Sequence, residues 1–344
     1  MPRFCSHDVK MNTDFVCDLL GQDTRCYIIA TRLMNSLKTH QRLILFLLFV
    51  LALTSLLSPW FAVSANWITS HWPFLLPERY SFSKIFNRTF MISGILLFFI
   101  CRRLLGIGKL ADLGLTRFGD GSRDIAIGWL LAAGSMAALA TVMTLFGVFT
   151  PFFRLPLGES ISRCASALSA AAFTGLLEEV FFRGILFKGL FQQGRLRAYL
   201  GANLFYSALH FVKPGEGYYV DALDPWAGLR HLAFTFTPFL EPLPLLPGIF
   251  GLFLLGVVLS FAFTRTANLY LAIGLHAGWV FGLKTLRVFG DFRRDDLTWM
   301  FGSTDPKIVS GVFTWIGIGL VAVAVHWITR ARPHLDSATP SNKF

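Results

Sequence analysis

The chain has 344 residues, of which 54% are hydrophobic and 15% are charged, and its mean hydropathy is +0.57. Soluble domains carry about 25% charged residues, so the composition excludes an ordinary soluble protein. The formal net charge of +11 does not indicate a nucleic-acid partner, because the cations cluster in short loops beside apolar segments, where they anchor and orient membrane helices.

Eight apolar segments are long enough, or nearly long enough, to cross the roughly 30 Å hydrocarbon layer as helices. They predict an all-α membrane bundle of about eight transmembrane helices. We divide the chain into a polar N-terminal tail (1–41), a single transmembrane domain (42–330) and a C-terminal tail (331–344). The predicted spans are 43–63, 82–101, 125–149, 162–192, 198–212, 243–264, 268–283 and 308–329.

Cationic loops give two conflicting signals for orientation. The loop after the second span is basic, and so is the loop after the seventh, although an odd number of spans separates them. We favour the earlier loop as the cytoplasmic one, which predicts that both termini lie in the cytoplasm. The residues are Arg102, Arg103, Lys109, Arg117 and Arg123 in the first loop, and Lys284, Arg287, Arg293 and Arg294 in the second.

Three ionisable residues lie inside the fourth span, in the sequence Leu-Leu-Glu-Glu-Val-Phe-Phe-Arg-Gly. Each costs roughly 2.5–3.5 kcal/mol at a bilayer centre, so we expect a function. Glu179 and Arg183 are four residues apart on one helix face and predict an ion pair, which serves most simply as a structural brace. Glu178 lies about 100° away around the helix without such a partner, as a carboxylate suited to general-base chemistry.

Two histidines occupy later apolar spans, His210 in the fifth and His276 in the seventh. Small residues surround both, which allows close helix packing and brings the imidazoles into the bundle interior. Either histidine alone is more simply an interhelical hydrogen-bonding residue. Together with Glu178 they could activate water or bind a metal ion. The other histidines, including His231, are expected to be solvated or interfacial.

The order of these motifs resembles the CPBP family of intramembrane proteases, which includes CAAX prenyl endopeptidases and bacterial Abi proteins. The pattern is Glu178-Glu179-x-x-x-Arg183, then Tyr206-x-x-x-His210, then His276, each on its own span, and the resemblance covers about residues 125–285, the expected protease core. It implies an eight-span fold and an intramembrane endopeptidase. It also implies that Glu178 activates water, His210 positions it, His276 stabilises the oxyanion, and Glu179 and Arg183 shape the site.

Two positions depart from the family pattern. Tyr206 stands where Phe is usual, and Val280 stands where an Asn or Asp usually assists the oxyanion-stabilising histidine. One oxyanion donor is worth roughly 10²–10³ in rate. Another donor (Asn203, Asn268 or Trp279) could substitute, His276 could act alone, or the chain could be a non-catalytic relative.

The chain lacks His-Glu-x-x-His, the spacing that puts two zinc ligands on one helix face, so we favour a metal-free glutamic mechanism with no cofactor. The alternative is zinc held by Glu178, His210 and His276. The expected partners are the lipid bilayer and a membrane-bound protein or peptide substrate, in a bacterial inner membrane. An ion- or proton-coupled transporter is a further alternative, because buried charges also mark ion pathways.

Overall fold

The computed structural model describes residues 37, 39–72, 74, 80–105, 108–116, 118–212, 219–220, 222–294, 296–302, 308–332 and 335. Most of the two predicted tails, residues 1–36 and 336–344, lies outside the described residues. The described part is a helical bundle with one two-stranded antiparallel sheet. The predicted all-α membrane fold is therefore confirmed.

The bundle is built from nine labelled helices, two strands, two π-helices and several single turns. The helices are α1 Thr39–His71, α2 Phe82–Cys101, α3 Phe118–Leu145, α4 Leu157–Glu179, α5 Asn203–Leu209, α6 Ala227–Thr235, α7 Leu246–Thr266, α8 Tyr270–Thr285 and α9 Val312–Thr329. The strands are β1 Phe149–Pro151 and β2 Gly290–Phe292, and the π-helices are Val180–Phe187 and Ala198–Ala202. The short turns are Leu110–Leu113, Lys188–Phe191, Arg195–Arg197, Thr237–Leu240, Leu243–Leu245, Thr298–Phe301 and Ile308–Ser310.

Five of the described helices are long and apolar enough to cross a membrane, namely α1, α2, α3, α7 with the turn before it, and α9. The other three predicted spans are also helical, but none of them is both long and apolar enough to belong to these five. The fourth is interrupted by charges, α5 has 7 residues and α8 has 16. The integral membrane character is thus supported, and the number of eight spans stays a prediction.

Both ends of the described bundle lie on the same side. Arg42, at the start of α1, donates to the carbonyl of Leu104 just after α2. Arg332, just after α9, binds both carboxylate oxygens of Asp124 near the start of α3 at 2.7 Å. At the opposite end β1 pairs with β2, with Thr150 facing Asp291. We call this opposite side the hairpin end.

Helix α8 forms the centre of the bundle and packs tightly between α3 and α4. Glycines make this approach possible: a Cβ at Gly278 would lie 2.6 Å from the Cβ of Ala132 on α3, and one at Gly175 on α4 would lie 3.1 Å from the backbone nitrogen of Ala277. Residues Tyr270 to Gly278 of α8 are buried. The packing therefore places the middle of α8, with His276, deep inside the protein.

The prediction that His231 is solvated or interfacial is wrong. This residue lies on α6, and only 2% of it is exposed. Its ring packs between Phe82 and Phe86 of α2, with centroids 5.2 and 4.9 Å away. The connecting segment is folded onto the bundle, because α6 lies so close to α1 that Gly228 contacts the backbone of Ser55. Burial lowers the pKa of His231.

Candidate active site

The charged segment of the fourth predicted span lies where the helix changes its geometry. Helix α4 ends at Glu179, and the π-helix Val180–Phe187 follows without a break. Wide helical turns of this kind are rare and frequently mark functional sites. Glu178 and Glu179 are thus the last residues of the regular helix, and Arg183 belongs to the wider turn.

Glu179 joins two buried partners through a single oxygen. Its Oε1 accepts a hydrogen bond of 2.8 Å from Nη1 of Arg183 and lies 2.7 Å from Nδ1 of His276. The side chains of Glu179 and Arg183 are fully buried. The predicted ion pair is confirmed, and the pair also fixes the imidazole on α8.

Arg183 is a junction between three helical segments. Its Nη2 donates to the carbonyl of Gly256 on α7 at 3.2 Å, and its guanidinium stacks 4.6 Å from the ring centroid of Tyr206 on α5. Gly256 must be small, since a Cβ there would lie 2.9 Å from Oδ1 of Asn203. These contacts offset the large desolvation cost of a buried cation.

Glu178 faces the two predicted histidines. Its Oε2 lies 3.8 Å from Nε2 of His210 and 3.8 Å from Nε2 of His276. This oxygen is buried and has no hydrogen-bond partner among the described residues, whereas the side chain as a whole is 30% exposed. A polar contact longer than 3.5 Å leaves room for a bridging water.

The hydrogen bonds of the two histidines set their tautomers. Nδ1 of His210 lies 2.8 Å from the carbonyl of Tyr206, which only accepts, so Nδ1 carries the proton and the neutral ring presents an Nε2 lone pair to Glu178. Nδ1 of His276 likewise donates to Glu179. Nε2 of His276 is therefore an acceptor in the neutral ring and a donor in the imidazolium.

The three residues proposed as zinc ligands do not have the spacing of a zinc site. Bonds of about 2.0–2.1 Å in a tetrahedral site separate ligand atoms by about 3.3 Å, which is less than the 3.8 Å measured from Glu178 to each histidine. Among the described residues, no group of three or more His, Cys, Asp and Glu side chains could hold a metal ion.

A cavity of about 350 Å³ reaches the site from the side of α7, α8 and α9. Tyr206, His210 and His276 line it, together with the hydroxyl side chains of Ser135 and Thr314. The rest of the wall is mostly apolar and includes Leu252, Leu255, Leu259, Trp279, Val280, Leu283, Phe313 and Ile318. An extended apolar group could therefore lie beside the two histidines.

The three residues considered as substitutes for the usual oxyanion donor already have partners. Asn203 donates to the carbonyl of Tyr199 and accepts from Ser260. Asn268 donates to the carbonyl of Thr266 at the end of α7 and accepts from the backbone N–H of Tyr270 at the start of α8. Nε1 of Trp279 donates to the hydroxyl of Ser135 at 3.0 Å, and both of these residues line the cavity. Val280 lines it too, so the usual donor position faces the cavity as an apolar side chain.

The five residues singled out from the sequence come together as one cluster. They and their partners come from α4 with the π-helix that continues it, from the end of α5, and from α7 and α8. Sequence reasoning missed the carbonyl of Gly256, the carbonyl of Tyr206 and the π-helix. The carbonyls are backbone groups that no residue type reveals. The signal for Gly256 was weak, because the same apolar helix also contains Gly248 and Gly251.

Comparison with known proteins gives one match. Residues 160–282 match the family model described as Type II CAAX prenyl endopeptidase Rce1-like. No curated protein and no solved structure matches the chain. The matched range runs from α4 to near the end of α8, so it contains every residue of the cluster, and the resemblance to the CPBP family is confirmed.

Proposed function

We propose that this membrane protein, whose residues 160–282 form an Rce1-like domain, is an intramembrane endopeptidase that uses Glu178 to activate water. Family membership supports a CAAX-type intramembrane protease in general terms. The observation that carries the finer proposal is the unpartnered, buried Oε2 of Glu178, held 3.8 Å from two imidazole nitrogens.

The space between these groups suits one water molecule. Oε2 of Glu178 and Nε2 of His210 are two acceptors, and water offers two protons to match them. Glu178 removes a proton from the water, and the resulting hydroxide forms a bond to the carbonyl carbon of the scissile peptide. The tetrahedral intermediate then collapses, and Glu178 returns the proton to the departing amine. One peptide bond and one water are consumed, and the base is regenerated.

His276 is positioned to stabilise the oxyanion. In the imidazolium form its Nε2 donates a hydrogen bond to the developing negative charge, while Glu179 holds Nδ1 and balances the positive ring. This arrangement resembles the way an acid orients the histidine of a catalytic triad. Arg183 holds the carboxylate of Glu179 in place through a hydrogen bond of 2.8 Å, so we assign it a positioning role.

The substrate that fits this site is a membrane-bound protein or peptide. The apolar cavity beside His210 and His276 suits the hydrophobic side chains or the lipid anchor of such a substrate, with the scissile carbonyl beside Glu178. We place the protein in a bacterial inner membrane with both termini in the cytoplasm, which agrees with the shared side of the two described chain ends.

The test compares wild type with Glu178→Gln in detergent, using a fluorogenic library of membrane peptides. General acid–base catalysis contributes roughly 10²–10⁴-fold, so the variant should lose at least about 10²-fold in kcat and keep its thermal unfolding temperature. Glu241→Gln, an exposed glutamate outside the site, is the control and should cleave like wild type. Equal activity of wild type and Glu178→Gln would refute the role of Glu178.

A zinc chelator separates the two chemistries. Each protein is assayed with and without it, and the metal-free proposal expects no change in rate. Loss of activity on chelation, restored by added zinc, would replace the glutamic mechanism by a metal site at Glu178, His210 and His276.

The second candidate is a non-catalytic relative with the same fold, which Val280 favours. It predicts that wild type cleaves no peptide of the library, and that Glu178→Gln leaves its cellular function intact.

A further inference from the structure

A second cavity, of about 450 Å³, opens at the hairpin end between α4 and α8. Four of its nine lining residues are cations: Arg154, Arg163, Lys284 and Arg287. The cations are exposed, and the floor below them includes Ala167 and Val288, each 6% exposed. We call this feature the basic cavity.

Three segments of the chain build the basic cavity. Arg163 and Ala167 are four residues apart and share one face of α4, and Lys284 and Arg287 are three apart at the end of α8. Arg154 is held against this end because its backbone N–H donates to the carbonyl of Val288 at 3.2 Å. The convergence of the cations is thus fixed by the fold.

The described residues that line the basic cavity include four cations and no anion. Arg163 forms an exposed ion pair with Glu159 at 3.5 Å, and an exposed pair of this kind contributes little. Four cations around one cavity repel one another, and a bound anion removes that repulsion. The arrangement therefore suits a ligand that carries at least one negative charge.

The surroundings of the basic cavity are apolar and exposed. Phe153 is 73% exposed, Leu157 71%, Ile161 62% and Phe289 42%. In a membrane protein such side chains face lipid, and aromatic residues are frequent where hydrocarbon meets water. A ligand of the basic cavity thus has its charge near the cations and can place acyl chains against these side chains.

We propose that the basic cavity binds the phosphate of an anionic phospholipid headgroup. Basic pockets between membrane helices are a known way of holding such lipids. The proposal also accounts for the conflicting orientation signals of the sequence: Lys284 and Arg287 bind lipid on their side of the membrane and do not mark it as the cytoplasmic side.

The test measures lipid retention and is independent of catalysis. Wild type, Arg163→Gln/Arg287→Gln and Arg123→Gln/Arg197→Gln are purified from nanodiscs of mixed phosphatidylglycerol and phosphatidylcholine, and native mass spectrometry counts the retained lipids. Each cation beside an anionic headgroup is worth about 5-fold in affinity, so we expect a loss of roughly 25-fold in the first double variant. The second double variant removes two exposed cations elsewhere and should retain phosphatidylglycerol like wild type.

Three results would overturn the proposal. The first is equal retention by the two double variants. The second is displacement of the lipid by inorganic phosphate, which would assign the cavity to a soluble anion. The third is unchanged retention together with loss of preference for peptides that end in a free carboxylate over amidated ones, which would assign the cavity to the substrate. Failure of cleavage alone would affect the proposed function and leave the lipid result standing.

Discussion

Charged side chains occupy two contrasting regions of this protein, the buried cluster around Glu179 and the exposed basic cavity. In the cluster Arg183 lies 2.8 Å from Glu179, while Oε2 of Glu178 has no hydrogen-bond partner among the described residues. In the basic cavity four cations face one another, and Glu159 lies 3.5 Å from Arg163 at the surface. The protein thus supplies partners for Glu179 and Arg183, whereas the described lining of the basic cavity holds four cations and no anion.

The difference in charge pairing between the two regions follows from how far each is removed from water. A charge inside the bundle must find its partner in the protein, because an unpaired ion there costs several kcal/mol. A charge at the membrane surface is solvated by water and lipid headgroups, so its pairing contributes about 0–1 kcal/mol. The buried cluster should therefore respond strongly to single substitutions, and the basic cavity should respond weakly.

The largest expected effect on stability is that of Arg183→Met. It leaves the buried carboxylate of Glu179 without its cation and should destabilise the protein by about 3–5 kcal/mol. Arg163→Met in the basic cavity should change stability by less than about 0.5 kcal/mol. The free energy of unfolding is measured for both variants in detergent. Similar losses of stability would contradict the proposed difference between the two regions.

Replacing Glu179 tests whether the buried cluster positions His276 for catalysis. Glu179→Gln keeps the size of the side chain but removes the negative charge that lies 2.7 Å from Nδ1 of His276. We expect kcat to fall by roughly 10²–10³, the loss that follows removal of one oxyanion donor, with little change in KM. An unchanged kcat together with a lowered unfolding temperature would show that the Glu179–Arg183 pair is only a brace. Glu241→Gln is the control.

The tight helix packing that brings His276 to the cluster can be tested at Gly278. A Cβ there would lie 2.6 Å from that of Ala132, so Gly278→Ala should cost about 1–3 kcal/mol through overpacking. Gly319→Ala is the matched control, since nothing lies within 4 Å of its added Cβ. Equal unfolding temperatures for the two variants would mean that α8 can move away from α3 at no cost.

The smallest expected effect is a rise in kcat. Val280 lines the cavity one turn after His276, so Val280→Asn would supply an amide donor where the family pattern has one. We expect about a tenfold rise in kcat, below the full value of an optimised donor. Val280→Ala is the control for a change in side-chain size, and it should not raise kcat because alanine supplies no hydrogen-bond donor. No gain with Asn would indicate that His276 acts without help.

The sequence alone sufficed for the membrane fold and for the five clustered residues, because charges in apolar helices are conspicuous. Helical spacing also predicted the bond between Glu179 and Arg183. It did not predict that Glu179 would hold His276 as well, since that contact depends on how closely α8 approaches α4. Nor did it predict the burial of His231, because α6 is short and lies in a connecting segment that contains several Pro, Gly and aromatic residues.

The π-helix after Glu179 has a consequence for how the chain tolerates changes in length. A π-type turn takes up one residue more than an α-turn, so every side chain beyond it is shifted by one position, or roughly 100° around the axis. Deleting one residue between Val180 and Phe187 would let the segment relax into a regular α-helix. The part from Lys188 onward would then present a different face to α5. The two glutamates would keep their places, while the helix that follows them lost its register.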